Sequence, residues 1–125
     1  MNRTALAFLS LAATCGGIQA QDVEAGKAVF AQCRTCHQVG EGAKNLVGPQ
    51  LNGIFGRTAG TVPGFSYSPA NKQSGVVWDD ATYIKDPKAF MPGNKMVYAG
   101  LKDEKKISDL ITYLKSFGPD GKPVR

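Results

Sequence analysis

Five consecutive residues could do chemistry together: Cys33-Arg34-Thr35-Cys36-His37. Two cysteines three positions apart, followed at once by histidine, form the C-x-x-C-H signature of covalent haem attachment. On a turn of helix, thiols at this spacing reach the two vinyl groups on one edge of a porphyrin and form thioethers. His37 then projects toward the iron, which a neutral imidazole suits as a ligand. Rival chemistries fit less of the chain. A structural zinc site takes about four ligands, and His37 is the only histidine. A redox-active thiol pair of the thioredoxin kind sits in a βαβ context, and no alternating strand pattern is present. A plain disulfide across this tight loop is the third rival.

The second iron position decides what such a haem would do. A thioether favours ferrous iron and raises the potential. Beyond residue 20 the methionines are Met91 and Met96. Met96 ends the irregular polar run Pro92-Gly93-Asn94-Lys95-Met96. A lone thioether there is easier to explain as a ligand than as core, so Met96 is the expected ligand. Met91, between Phe90 and Pro92, reads as packing. Lys95 as ligand and an open position are the remaining alternatives. An open or labile position would make the protein a peroxidase-like haem enzyme or a gas sensor.

A small scaffold must position these residues. The chain has 125 residues, 42% of them hydrophobic, with 15 Gly and 7 Pro. That composition describes one loop-rich domain and excludes a disordered chain. Residues 1–20, MNRTALAFLSLAATCGGIQA, combine a basic start at Arg3, a short apolar run from Ala5 to Ala13 and a small-residue end. This is the layout of a secretory signal peptide, with an apolar run too short to span a membrane. The predicted division is a signal peptide over 1–20, cleaved after Ala20, and a domain over 21–125, located in the periplasm. An uncleaved anchor and a lipid-modified Cys15 are rival readings. Cleavage leaves Cys33 and Cys36 as the two cysteines of a protein in an oxidising compartment.

Ile107, Leu110, Ile111, Leu114 and Phe117 repeat at helical spacing. They predict an amphipathic helix capped by Asp103 and stopped by Gly118-Pro119. Asp22 is expected to cap a helix that carries Val23, Gly26 and Phe30 on one face. Gly26 costs about 1 kcal/mol there against alanine, which close approach of another helix would justify. Ser68-Pro69 and Asp86-Pro87 predict short helices with proline at the first position. Asp79 predicts another over Asp80 to Lys85. Gly and Pro interrupt the stretch from Gly40 to Gly64, and residues 91–100 are irregular. The expected fold class is all-α, a few helices with long loops around a thin core that something else must fill.

With these segments in order, residues 22–117 resemble a class I c-type cytochrome, similar to mitochondrial cytochrome c and its small bacterial relatives. The resemblance is carried by Gly26-Lys27, Phe30, Cys33 to His37, Gly48-Pro49-Gln50-Leu51, Gly53 to Arg57 and Pro63 to Ser68. Asn71-Lys72, Trp78, Pro92 to Met96 and Asp109 to Leu114 complete it. It implies the cytochrome c fold wrapped around one haem c, held by thioethers from Cys33 and Cys36 and by iron bonds from His37 and Met96. It implies that the Pro49 carbonyl accepts from the other His37 nitrogen. Tyr67 and Trp78 would bond a haem propionate, Arg57 would neutralise it, and Asn71 and Tyr83 would form a polar network near the Met96 sulfur. Gly26 and Phe30 would cross the C-terminal helix at Leu110 and Tyr113. Taken alone, Trp78 reads equally as core and Arg57 as a solvated side chain. The stretch from Trp78 to Pro87 is shorter than in the mitochondrial proteins. Asn94 stands where threonine is common.

The implied role is a one-electron carrier, not an enzyme. Its partners would be a cytochrome bc complex as donor and a haem-copper oxidase, reaction centre or periplasmic dehydrogenase as counterpart. The formal charge of +5 favours acidic surfaces on those partners. Lys27, Lys88 and Lys95 flank the two ligand segments and are the expected docking cations. No nucleic-acid motif is present, no stable membrane insertion is expected, and a monomer is.

Overall fold

The computed structural model describes residues 18–79 and 82–124, with side chains from residue 22 onward. The predicted signal peptide lies almost wholly outside the described residues. The architecture is all-α. Helix α1 spans Ile18–Phe30 and α5 spans Glu104–Lys115. Between them lie three single-turn helices, α2 (Pro69–Lys72), α3 (Thr82–Lys85) and α4 (Pro87–Phe90). Extended pairing among the described residues is confined to two isolated bridges, Thr58 with Val77 and Phe117 with Pro123. None of the described helices is long and apolar enough to cross a membrane. The absence of a βαβ unit among these residues removes the thioredoxin reading.

The α1–α5 crossing is the framework. A side chain at Gly26 would run into the Asp109 carbonyl and the Tyr113 Cβ, so glycine lets the two backbones touch. Phe30 is buried below that contact, its ring 5.4 Å from the Tyr113 ring. Burial of such large apolar side chains, not helix propensity, holds short helices in place. Ile107, Leu110 and Tyr113 are the buried hydrophobic residues of α5. Ile111 and Leu114 of the predicted stripe are half-buried and pack against that cluster, and together with Ile107 and Leu110 they line a cavity.

Local cap chemistry behaves as its residue types dictate at three ends. The Ser68 hydroxyl accepts from the Asn71 amide, the Asp86 carboxylate from the Ala89 amide, and the Asp103 carboxylate from the Lys106 amide. Pro69 and Pro87 each open their helix. At Asp22 the expectation fails. Helix α1 runs from Ile18 in the uncleaved chain, three residues before the predicted cleavage after Ala20, so there Asp22 lies inside the helix and not at its start. The predicted Asp79 cap depends on residues 80 and 81, which lie outside the described residues.

Candidate functional site

Helix α1 delivers the C-x-x-C-H segment directly. The Cys33 and Arg34 amides donate to the Phe30 carbonyl, and the Cys36 and His37 amides donate to the Cys33 carbonyl. The chain therefore keeps turning through His37, and both thiols and the imidazole line one cavity. Cys33 and Cys36 are free thiols, half-buried, not a disulfide. Burial, then the neighbouring Cys36, pushes the Cys33 thiol above its ordinary range. Among the described residues no set of three or more His, Cys, Asp or Glu side chains gathers to hold a metal, so the zinc reading finds no ligand set.

The next loop folds back to fix the histidine. The Gly48 amide donates to the Cys36 carbonyl and the Leu51 amide to the Gln38 carbonyl. This brings the Pro49 carbonyl 2.7 Å from His37 Nδ1. A carbonyl only accepts, so Nδ1 carries the proton and Nε2 of the neutral ring keeps its lone pair. Burial lowers the His37 pKa, against the Pro49 bond and with help from Arg57. Gly48 is needed for space: any Cβ there would collide with the His37 ring.

Met96 lines the same cavity as His37 and Tyr83. Its thioether is 3.5 Å from the Tyr83 hydroxyl. Met91 is 5% exposed and lies outside that lining. Lys95 also lines the cavity, but its ammonium lies over the Phe65 ring, 5.1 Å from the centroid. Burial pushes Tyr83 up to about 12, so its hydroxyl remains a donor at neutral pH. The Tyr83 ring lies 4.9 Å from the Trp78 ring, tilted at 60° to it, and Phe90 meets it edge-on at 5.7 Å.

The remaining sequence-selected residues line the cavity too. The Tyr67 hydroxyl accepts from the Val62 amide, which leaves its own proton to donate. Arg57 departs from a simple counter-charge. Its two terminal nitrogens donate to the Asn52 and Gln50 carbonyls, so the guanidinium braces its loop as well as lining the cavity. Trp78 makes ring contacts, and its backbone pairs with Gly56 and Arg57. The Asn71 side-chain oxygen is buried without a hydrogen-bond partner.

One side chain, Asn52, escaped the sequence reading, and a second, Asn94, was noted only as a replacement for threonine. Asn52, buried, exchanges two bonds with Gly40, accepting from its amide at 2.8 Å and donating to its carbonyl at 2.9 Å. Asn94 donates to the Pro87 and Met91 carbonyls and accepts from the Met96 amide. The signal was available in kind. Loops without ladders must satisfy backbone groups through side chains, and asparagine is suited to that.

The cavity is about 260 Å³ and its wall is mostly apolar. Its apolar lining, its paired thiols, one imidazole with a free Nε2 and one thioether fit a haem bound through both cysteines. The orphaned Asn71 oxygen marks a polar edge within it.

A sequence model of the family described as Cytochrome c matches residues 23–118. The chain is 52% identical to cytochrome c2 of Blastochloris viridis over 97% of its length and 98% of that protein. It is 55% identical to cytochrome c-550 of Nitrobacter winogradskyi, with 81% of this chain and 95% of the relative covered. Cytochrome cH from Methylobacterium extorquens has a similar structure, with a TM-score of 0.70 at 42% identity, covering 76% of this chain and 98% of that one.

Proposed function

The chain belongs to the cytochrome c family, electron carriers with covalently attached haem c, and from that premise we propose a periplasmic one-electron carrier with His37 and Met96 as iron ligands. The supporting observation is a pair of donors on one cavity: His37, with Nδ1 bonded to Pro49, and Met96, in a lining that also holds Cys33 and Cys36. When bound, haem supplies reversible one-electron chemistry at iron. Cys33 and Cys36 would hold it through thioethers. Pro49 keeps the His37 tautomer fixed. Tyr67, Trp78 and Arg57 would face the propionates, and Asn71 and Tyr83 would shape the surroundings of the Met96 sulfur. With His37 and Met96 both engaged, the group would offer no position for a substrate, as a carrier requires.

Docking would use the cavity mouth. Val47 and Val97 line it and are 75% and 96% exposed, and Lys27, Lys88 and Lys95 are exposed cations. Apolar contact at the mouth, with Lys95 on the cavity lining and Lys27 and Lys88 as further surface cations, suits brief encounters with acidic redox partners. A cytochrome bc complex is the proposed donor. A haem-copper oxidase, a reaction centre or a periplasmic dehydrogenase is the proposed counterpart. The leader over 1–20 would direct export, and the carrier would act as a monomer.

The test is a spectrum and an intact mass of the protein made beside haem-ligation machinery. A coloured chain starting at Gln21, with the red-edge band of sulfur-bound ferric iron, is the expected result. Met96→Ala should abolish that band and Met91→Ala should keep it. A colourless product would overturn the proposal, and ready uptake of carbon monoxide by the reduced protein would overturn the carrier role.

A further inference from the structure

We propose that Asn94 is a positioning residue that sets how far the Tyr83 hydroxyl proton is shared with the Met96 sulfur. The inference rests on Met96 as an iron ligand.

The Asn94 side chain has two N–H donors and an oxygen with two lone pairs, and its surroundings use all four. Nδ2 donates to the Pro87 and Met91 carbonyls, both at 2.8 Å. Two acceptors on that side fix the amide orientation without ambiguity. Oδ1 accepts from the Met96 amide at 2.9 Å. Its second lone pair faces the Tyr83 hydroxyl at 3.3 Å. That same hydroxyl lies 3.5 Å from the Met96 sulfur.

Tyr83 therefore offers one proton to two acceptors. An amide oxygen is a good acceptor and a thioether a weak one, so Asn94 draws the proton away from the sulfur. This matters because a hydrogen bond to the sulfur withdraws electron density from the atom that donates to iron. Withdrawal disfavours the ferric state. Asn94 thus holds the potential below the value that an undivided Tyr83–Met96 bond would give. The same carboxamide ties both ends of α4 to the Met96 backbone, so the competing acceptor is held at a fixed distance and is not free to swing away.

The test uses the haem-loaded protein in four forms: unaltered, Asn94→Ala, Tyr83→Phe and the double variant. Midpoint potential and the sulfur-to-iron band are both read. Asn94→Ala should raise the ferrous share at a fixed solution potential by roughly threefold, the scale of a fraction of one neutral hydrogen bond. In the Tyr83→Phe background the same substitution should produce no rise. Asn94→Ser guards against collapse of the loop. Serine can still accept from the amide two residues on, but it is too short to compete for the Tyr83 proton, and it should raise the potential with the band intact. Equal shifts in both Tyr83 backgrounds, or an unchanged potential in Asn94→Ser, would overturn the inference and leave Met96 ligation standing. Absence of the sulfur band from the unaltered protein would overturn both.

Discussion

At the α1–α5 crossing, Phe30, Leu110 and Tyr113 are buried together and Gly26 leaves no gap between the backbones. In the loops that face one another across the cavity, shape comes from Asn52, Asn94 and Arg57 bonding to backbone carbonyls and amides. The first region is held by an area of apolar contact that no single polar group decides. The second is held by a few directed bonds, each with a known partner. Area resists displacement in every direction, whereas directed bonds fix distances. A carrier of the proposed kind would use both: a framework that stays folded, and a wall that holds His37 and Met96 at set distances.

Substitutions can break or sharpen this contrast. The largest effect is expected from Phe30→Ala, which should lose about 3–5 kcal/mol in denaturant unfolding of the haem-loaded protein, because it opens a cavity at the crossing. Asn52→Ala should lose about 1–3 kcal/mol, since it strands the Gly40 amide and carbonyl, and hydrogen exchange at the Gly40 amide should quicken selectively. A loss as large as that of Phe30→Ala would erase the distinction between the regions. Asp103→Ala should cost about 1 kcal/mol through the lost cap of α5, read as a lower denaturant midpoint with unchanged slope. Smallest is Glu104→Ala. The Lys85–Glu104 pair spans 3.0 Å between exposed groups, so the midpoint should move by less than about 0.5 kcal/mol.

The same division explains how much could be read from the sequence. The C-x-x-C-H spacing, the Ser68-Pro69 and Asp86-Pro87 starts and the Asp103 cap are local, and local chemistry decided them. The close contact at Gly26 was legible because a costly residue in a helix needs a reason. Periodicity marked Ile107, Leu110, Ile111 and Leu114 as apolar, but it did not announce that the same stripe both packs in the core and lines the cavity. Asp22 was read as the start of a cleaved chain, whereas the uncleaved chain carries α1 back to Ile18. Asn52 was passed over, and Asn94 was noted without its bonds, because their roles depend on which distant carbonyls the fold brings near. Gly40 and Asn52 are joined across a long, irregular loop, and no spacing rule announces such a partner.

Gly48 carries one more consequence. Its backbone is not among those with positive φ, whereas Gly42 and Gly56 are, at +74° and +89°, with open space where a side chain would go. A saturation library would sort these positions by kind. Asparagine and aspartate should survive selection at 42 and 56, since they tolerate that backbone handedness best. Position 48 should return glycine alone, because what it rejects is volume beside an aromatic ring.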